Sequence, residues 1–215
     1  MVALAASALL LIGCAPTTSA EPSAAPSSAS SSPSPSPSPT PEIDPAIVVS
    51  LEDLTVTDAS GTTSASFDDS TALLALLEKT TGELPEPETV EIFPGEPSTL
   101  QRYEWDGLTV VADSAVEGPA RVRITAEEIG GMPITTTEGL HVGSTRAELL
   151  EVDAWALVDE EDAATAEYLG LGRKEVPGTE SLTHPGSVGV QYMLFTLAGD
   201  TVTQFNAPAD DFSDL

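Results

Sequence analysis

From Ala15 to Pro45 the sequence is almost entirely Ser, Ala, Pro and Thr, with the run SPSPSPSPTP at residues 32–41. A stretch so poor in large apolar side chains cannot bury a core. Folding is therefore confined to the ~170 residues that follow, enough for one ordinary core or two small fused ones. Alternating proline favours polyproline II at ~3.1 Å per residue, so about thirty residues make a semi-rigid spacer that reaches up to ~90 Å. A spacer needs no modification of its Ser and Thr to work.

Before the spacer, Val2 to Ile12 is apolar except for Ser7. That length suits the core of a signal peptide and falls short of the ~20 residues of a membrane-spanning helix. Cys14 is the single cysteine of the chain. Leu11-Ile12-Gly13-Cys14 resembles the lipobox of bacterial lipoproteins: an aliphatic residue, a short spacer and a small residue before cysteine. The resemblance implies that residues 1–13 are removed as a signal peptide and that Cys14, acylated on sulfur, becomes the first residue of the mature chain. It also implies attachment to the cell membrane, lipid-anchored, on the extracytoplasmic face. Each buried acyl methylene contributes ~0.8 kcal/mol and one chain holds only marginally, so two chains on one cysteine make a durable anchor. No Lys or Arg precedes Lys79. A signal peptide's basic leading region is thus missing, and the true start is expected upstream.

The chain carries 7 basic and 35 acidic side chains, a formal net charge of -28. That balance excludes nucleic-acid binding, which needs a basic surface, and direct adsorption to an anionic membrane face. The expected contacts are the membrane, through acyl chains on Cys14, and an unspecified protein or cell-wall partner.

Residues 46–215 read as an extracytoplasmic α+β domain, after an acylated Cys and Ser/Pro-rich linker at 14–45. Ala46 to Leu51, Leu54 to Asp58 and Thr63 to Phe67 read as extended, with a turn at Asp58 to Gly61. A first helix is predicted with Asp69 or Ser70 as N-cap, Leu73, Leu74, Leu76 and Leu77 on one stripe, and Gly82 as terminator. Asp106-Gly107 marks a hairpin flanked by Tyr103, Trp105, Leu108 and Val110. Arg121–Thr125 and Pro133–Thr137 add strands. Thr145 and Glu148 form a capping box that starts a second helix. A third helix is predicted over Glu160 to Leu169, and two strands close the chain about a turn at Ala198 to Asp200.

The order of capped helix, loop and aromatic-rich hairpin occurs twice. GLHVGSTRAELLEV, residues 139–152, resembles the helix-start signature of small exported lipoproteins with a BamE-like or β-lactamase-inhibitor-like fold. The wider arrangement resembles cell-surface lipoproteins of actinobacteria, a family that implies no particular activity. The fold expected is α+β, an antiparallel sheet with helices packed on one face, in two helix-hairpin pseudo-repeats.

Catalytic chemistry finds little to build on. The histidines are His141 and His184. Ser144 stands close to His141, but at a helix start, where a hydroxyl usually caps, and no G-x-S-x-G elbow occurs. With no H-x-x-x-H spacing and no free thiol, zinc has no ligand set. Asp159, Glu160, Glu161 and Asp162 are contiguous, whereas calcium loops alternate their ligands around a glycine. They read as a helix N-terminus, and Asp210, Asp211 and Asp214 as a frayed acidic tail. No catalytic residue, metal or cofactor is expected.

Tyr103 and Trp105 share one strand face, which is either core or a binding face. The reading is a non-catalytic binding or envelope-interaction domain. Its rivals are an inhibitor-like protein that binds an extracytoplasmic enzyme and a carboxylate-dependent hydrolase.

Overall fold

The computed structural model describes residues 44–91, 95–96, 98–114, 118–158 and 160–213. The expected signal peptide, Cys14 and the expected linker up to residue 43 lie outside the described residues; of two units, Met1–Thr40 and Pro41–Leu215, everything below concerns the second.

Among the described residues there are thirteen strands, in chain order β1 (Ala46–Val49), β2 (Asp53–Asp58), β3 (Gly61–Ser66), β4 (Glu88–Thr89), β5 (Leu100–Trp105), β6 (Leu108–Asp113), β7 (Ala120–Ile124), β8 (Glu128–Ile129), β9 (Met132–Thr136), β10 (Trp155–Ala156), β11 (Tyr168–Glu180), β12 (Val188–Ala198) and β13 (Thr201–Asp210). They form two sheets, one ordered β3-β2-β1-β9-β8 and the other β10-β11-β12-β13-β7-β6-β5-β4. Every pairing is antiparallel except β1 with β9, which run parallel with Ile47 opposite Ile134.

The strands follow the period-2 rule, in which alternate side chains face opposite sides. In β6, Leu108, Val110 and Ala112 are buried while Thr109, Val111 and Asp113 are half-exposed. One apolar cluster takes Ile47, Val49 and Leu54 from the first sheet, Val110, Phe195 and Phe205 from the second, and Leu73 and Leu77 from a helix. Phe195 and Phe205 stack across β12 and β13 with centroids 5.5 Å apart.

Among the described residues there are two α-helices, α1 (Ser70–Thr81) and α2 (Arg146–Glu151). Asp69 caps α1 by accepting from the Ala72 N–H at 2.9 Å. Gly82 ends it at φ 86, a left-handed conformation that costs least without a Cβ, with its N–H on Glu78 O. In α2, Thr145 and Glu148 form a complete capping box.

The α+β expectation is overturned: the described residues are 49% strand and 11% helix, two β-sheets in place of a helical layer on one sheet face. The third helix does not form. Asp162 closes a single turn through its O and Oδ1, accepting from Thr165, Ala166 and Ala164 N–H groups. The carbonyls that would carry the helix onward, Ala163 O and Ala166 O, instead accept from Arg146 Nη1 at 2.9 and 2.7 Å. From Tyr168 the chain is strand. The pseudo-repeat falls too, because the β5-β6 hairpin lies beside the sheet edge at β4 while β12-β13 is central, and α2 has half the length of α1.

Arg146 is 8% exposed and ties three segments together. Besides the two Ala carbonyls it donates from Nη2 to Gly199 O at 2.7 Å and from Nε to Asp200 Oδ1 at 2.9 Å. Burying a guanidinium is tolerable only when its donors are met in this way.

Candidate functional site

At one end of the eight-stranded sheet, β10, β11, β12, the loop between β11 and β12 and the C-terminal residues after β13 enclose a cleft of about 220 Å³. For scale, a ~150 Å³ apolar cavity accepts benzene. Its apolar side is Trp155, Leu157, Val190 and Tyr192; its polar side includes Arg173, Thr183, His184 and Asp211.

The strand register places these side chains. Trp155 on β10 stands opposite Gly170 on β11. A Cβ at residue 170 would lie 2.5 Å from the indole ring, so glycine is what lets the ring lie against the β11 backbone. Tyr192 meets Trp155 edge-on, with centroids 6.0 Å apart and planes at 67°, a favoured aromatic geometry. Tyr192 donates from its hydroxyl to Asp210 O at 3.3 Å. Burial first, then the charges of Asp211 and Asp210, push its pKa above the ordinary value.

Part of the polar wall is built by Asp210, the last residue of β13, and the residues after it. Asp210 Oδ2 accepts from Arg121 Nη2 on β7 and from Ser213 Oγ, while its Oδ1 accepts from the Phe212 and Ser213 N–H groups. Asp211 Oδ1 accepts from the Val190 N–H at 2.6 Å, and Oδ2 from Ser181 Oγ at 2.6 Å. Burial acts to raise the Asp211 pKa, but the Ser181 and Val190 donors and the charge of Arg173 outweigh it and hold the carboxyl below its ordinary value. The supposed frayed tail is therefore fastened at Asp210 and Asp211; Asp214 lies outside the described residues.

The arrangement does not make a nucleophile. Ser181 Oγ donates straight to a carboxylate and accepts from the His184 N–H, and His184 Nδ1 meets Thr183 Oγ1 at 2.9 Å. An activated hydroxyl would instead donate to an imidazole that a carboxylate orients. At the other histidine, Ser144 Oγ lies 3.2 Å from His141 Nδ1 and accepts from its N–H, but Ser144 is 2% exposed and closes a loop. Among the described residues no group of three or more His, Cys, Asp or Glu side chains could hold a metal ion.

Trp105 belongs to the core at 8% exposed, and Tyr103 packs half-buried against the apolar cluster. Trp105 Nε1 donates to Thr81 Oγ1 and Glu83 O, each at 3.1 Å. The cleft residues Trp155, Arg173, Tyr192 and Asp211 were missed in the sequence reading. The one local signal is the Asp210-to-Ser213 spacing, which suits a carboxylate that accepts from N–H groups two and three residues on. The partners that complete the site stand 89 positions away for Arg121 and 30 for Ser181.

No family model, curated protein or solved structure matches this chain.

Proposed function

We propose that this is an exported protein held at the extracytoplasmic face of a membrane by acyl chains on Cys14, whose folded part binds a ligand or partner and does not catalyse. The observation that carries the binding half is the cleft, with an aromatic and aliphatic floor and polar neighbours already engaged with one another. Apolar concavities with a few fixed polar groups are where proteins take small ligands. The Trp155 Nε1 has no hydrogen-bond partner among the described residues, which leaves an indole donor for an incoming molecule. The lipobox and the Ser/Pro spacer support the anchoring half. Among the described residues no helix is long and apolar enough to cross a membrane.

The two halves are tested separately. In a bacterium with lipoprotein machinery, palmitate label should enter the wild-type chain and be absent from Cys14→Ala, which should be shed or remain a precursor; label persisting in the variant refutes the anchor. In a fragment screen by NMR, aromatic fragments should shift the Trp155 and Tyr192 resonances. Fragments that bind elsewhere and leave those signals unmoved would refute the cleft.

A further inference from the structure

The two sheets have four edges, β3 and β8 on one, β10 and β4 on the other. The edges at β4, β8 and β10 are strands of two residues each, and β11, which runs on past β10 to Glu180, is interrupted by charged side chains, Pro177 and two register shifts against β12. Very short edge strands expose few free backbone groups, a usual protection against unwanted pairing. The remaining edge, β3, is six residues long, has no charged residue and no proline, and pairs with β2 in unbroken register from Asp58↔Gly61 to Asp53↔Ser66.

The phase of that ladder decides which groups face outward. Phe67, continuing β3, donates its N–H to Glu52 O at 2.9 Å. Odd-numbered residues therefore exchange hydrogen bonds with β2, and Thr62, Ser64 and Ser66 turn their N–H groups away from the sheet. The carbonyls of Thr62 and Ser64 turn outward with them; Ser66 O is taken by the Asp69 N–H. Among the described residues nothing pairs with the Thr62 or Ser64 backbone on that side, and the side chains of Thr62, Thr63, Ser64 and Ser66 are exposed. Behind the edge, Leu54 and Val56 of β2 are buried, so the template is held rigid.

Charge selects the occupant. Asp58 stands at one end of β3 and Asp68 and Asp69 just past the other, with Lys79 of α1 within electrostatic reach of Asp58. A second copy laid antiparallel on β3 would set Asp58 of each chain toward Asp68 and Asp69 of its neighbour, and like charges opposite one another destabilise a strand pair. Each copy also carries a formal charge of -28. We infer that β3 accepts an extended segment of a partner protein as an added strand, and that the segment is uncharged along its middle and carries Lys or Arg at both ends. Backbone hydrogen bonds to Thr62 and Ser64 supply affinity, and the acidic ends set selectivity. This site lies on the five-stranded sheet and depends on neither the cleft nor the anchor.

The test uses the full chain and a dye-labelled peptide of alternating Thr and Val flanked by lysines, compared with the same peptide flanked by glutamates. Anisotropy should show the lysine peptide binding at least about fivefold tighter, a preference that weakens with salt. Hydrogen exchange at the Thr62 and Ser64 amides should slow on binding. Ser64→Pro removes an outward N–H, which an edge strand tolerates, and should abolish binding. If that variant does not fold, a peptide N-methylated at alternate residues, offered to the wild-type chain, makes the same test and should not bind. Binding that survives N-methylation, unchanged exchange at Thr62 and Ser64, or self-association through β3 would each overturn the proposal.

Discussion

Trp105 and Trp155 are the same side chain in two kinds of surroundings. Trp105 ends β5 inside the core, and its indole N–H is shared by Thr81 Oγ1 and Glu83 O, which ties the end of α1 to the second sheet. Trp155 sits half-buried on a two-residue edge strand, leans on Gly170 and Tyr192, and its N–H meets no acceptor among the described residues. A buried aromatic with a polar tip stabilises a fold when the protein meets that tip. A half-buried one with a free tip is available for recognition. Aromatic content in the sequence drew attention to the first, and the architecture points to the second.

Truncating the buried ring should cost most. Trp105→Ala removes a filled volume from the core and leaves Thr81 and Glu83 without their shared donor, so a loss of ~3–5 kcal/mol is expected. A urea melt measures it, and a midpoint close to wild type would break the comparison at its firmer side. Next comes Gly170→Ala, which sets a methyl against the Trp155 ring. The indole must swing or β10 must shift, at about 1–3 kcal/mol, and the Trp155–Tyr192 contact should be lost from nuclear Overhauser spectra. An unchanged contact would show that the close approach is relieved elsewhere. Smallest in stability is Trp155→Ala, expected within about 1 kcal/mol of wild type yet unable to retain aromatic fragments in the cleft. A stable variant that still binds them would place recognition on other residues.

The sequence made local devices legible. The Asp69 cap, the Gly82 terminator, the Thr145/Glu148 capping box and the Asp106-Gly107 turn depend on residues a few positions apart, and each is present in the structure. The third helix failed for a long-range reason. Residues 160–169 suit a helix by composition, but Arg146 captures the carbonyls of Ala163 and Ala166, and nothing near those alanines announces an arginine some twenty positions earlier. The cleft was hidden in the same way. Asp210 and Asp211 look like a solvated tail until Arg121, Ser181 and Val190 are brought to them. β11 escaped notice because Pro177 and Gly178 interrupt its pattern and its register with β12 shifts twice. Helix content was overestimated because a third helix was expected over Glu160 to Leu169, where the chain makes a single turn at Asp162 and enters β11 at Tyr168.

One pairing has a mechanical consequence. β1 begins at Ala46, directly after the proline-rich stretch, and it is an interior strand, antiparallel to β2 on one side and parallel to β9 on the other. A pull arriving lengthwise along the chain at Pro45 would load both ladders in shear, so the bonds on two sides of β1 would resist together where an edge strand would have one side. Single-molecule stretching from the N-terminal side should therefore meet its peak force at the first step, when β1 slides out from between Leu54 and Ile134.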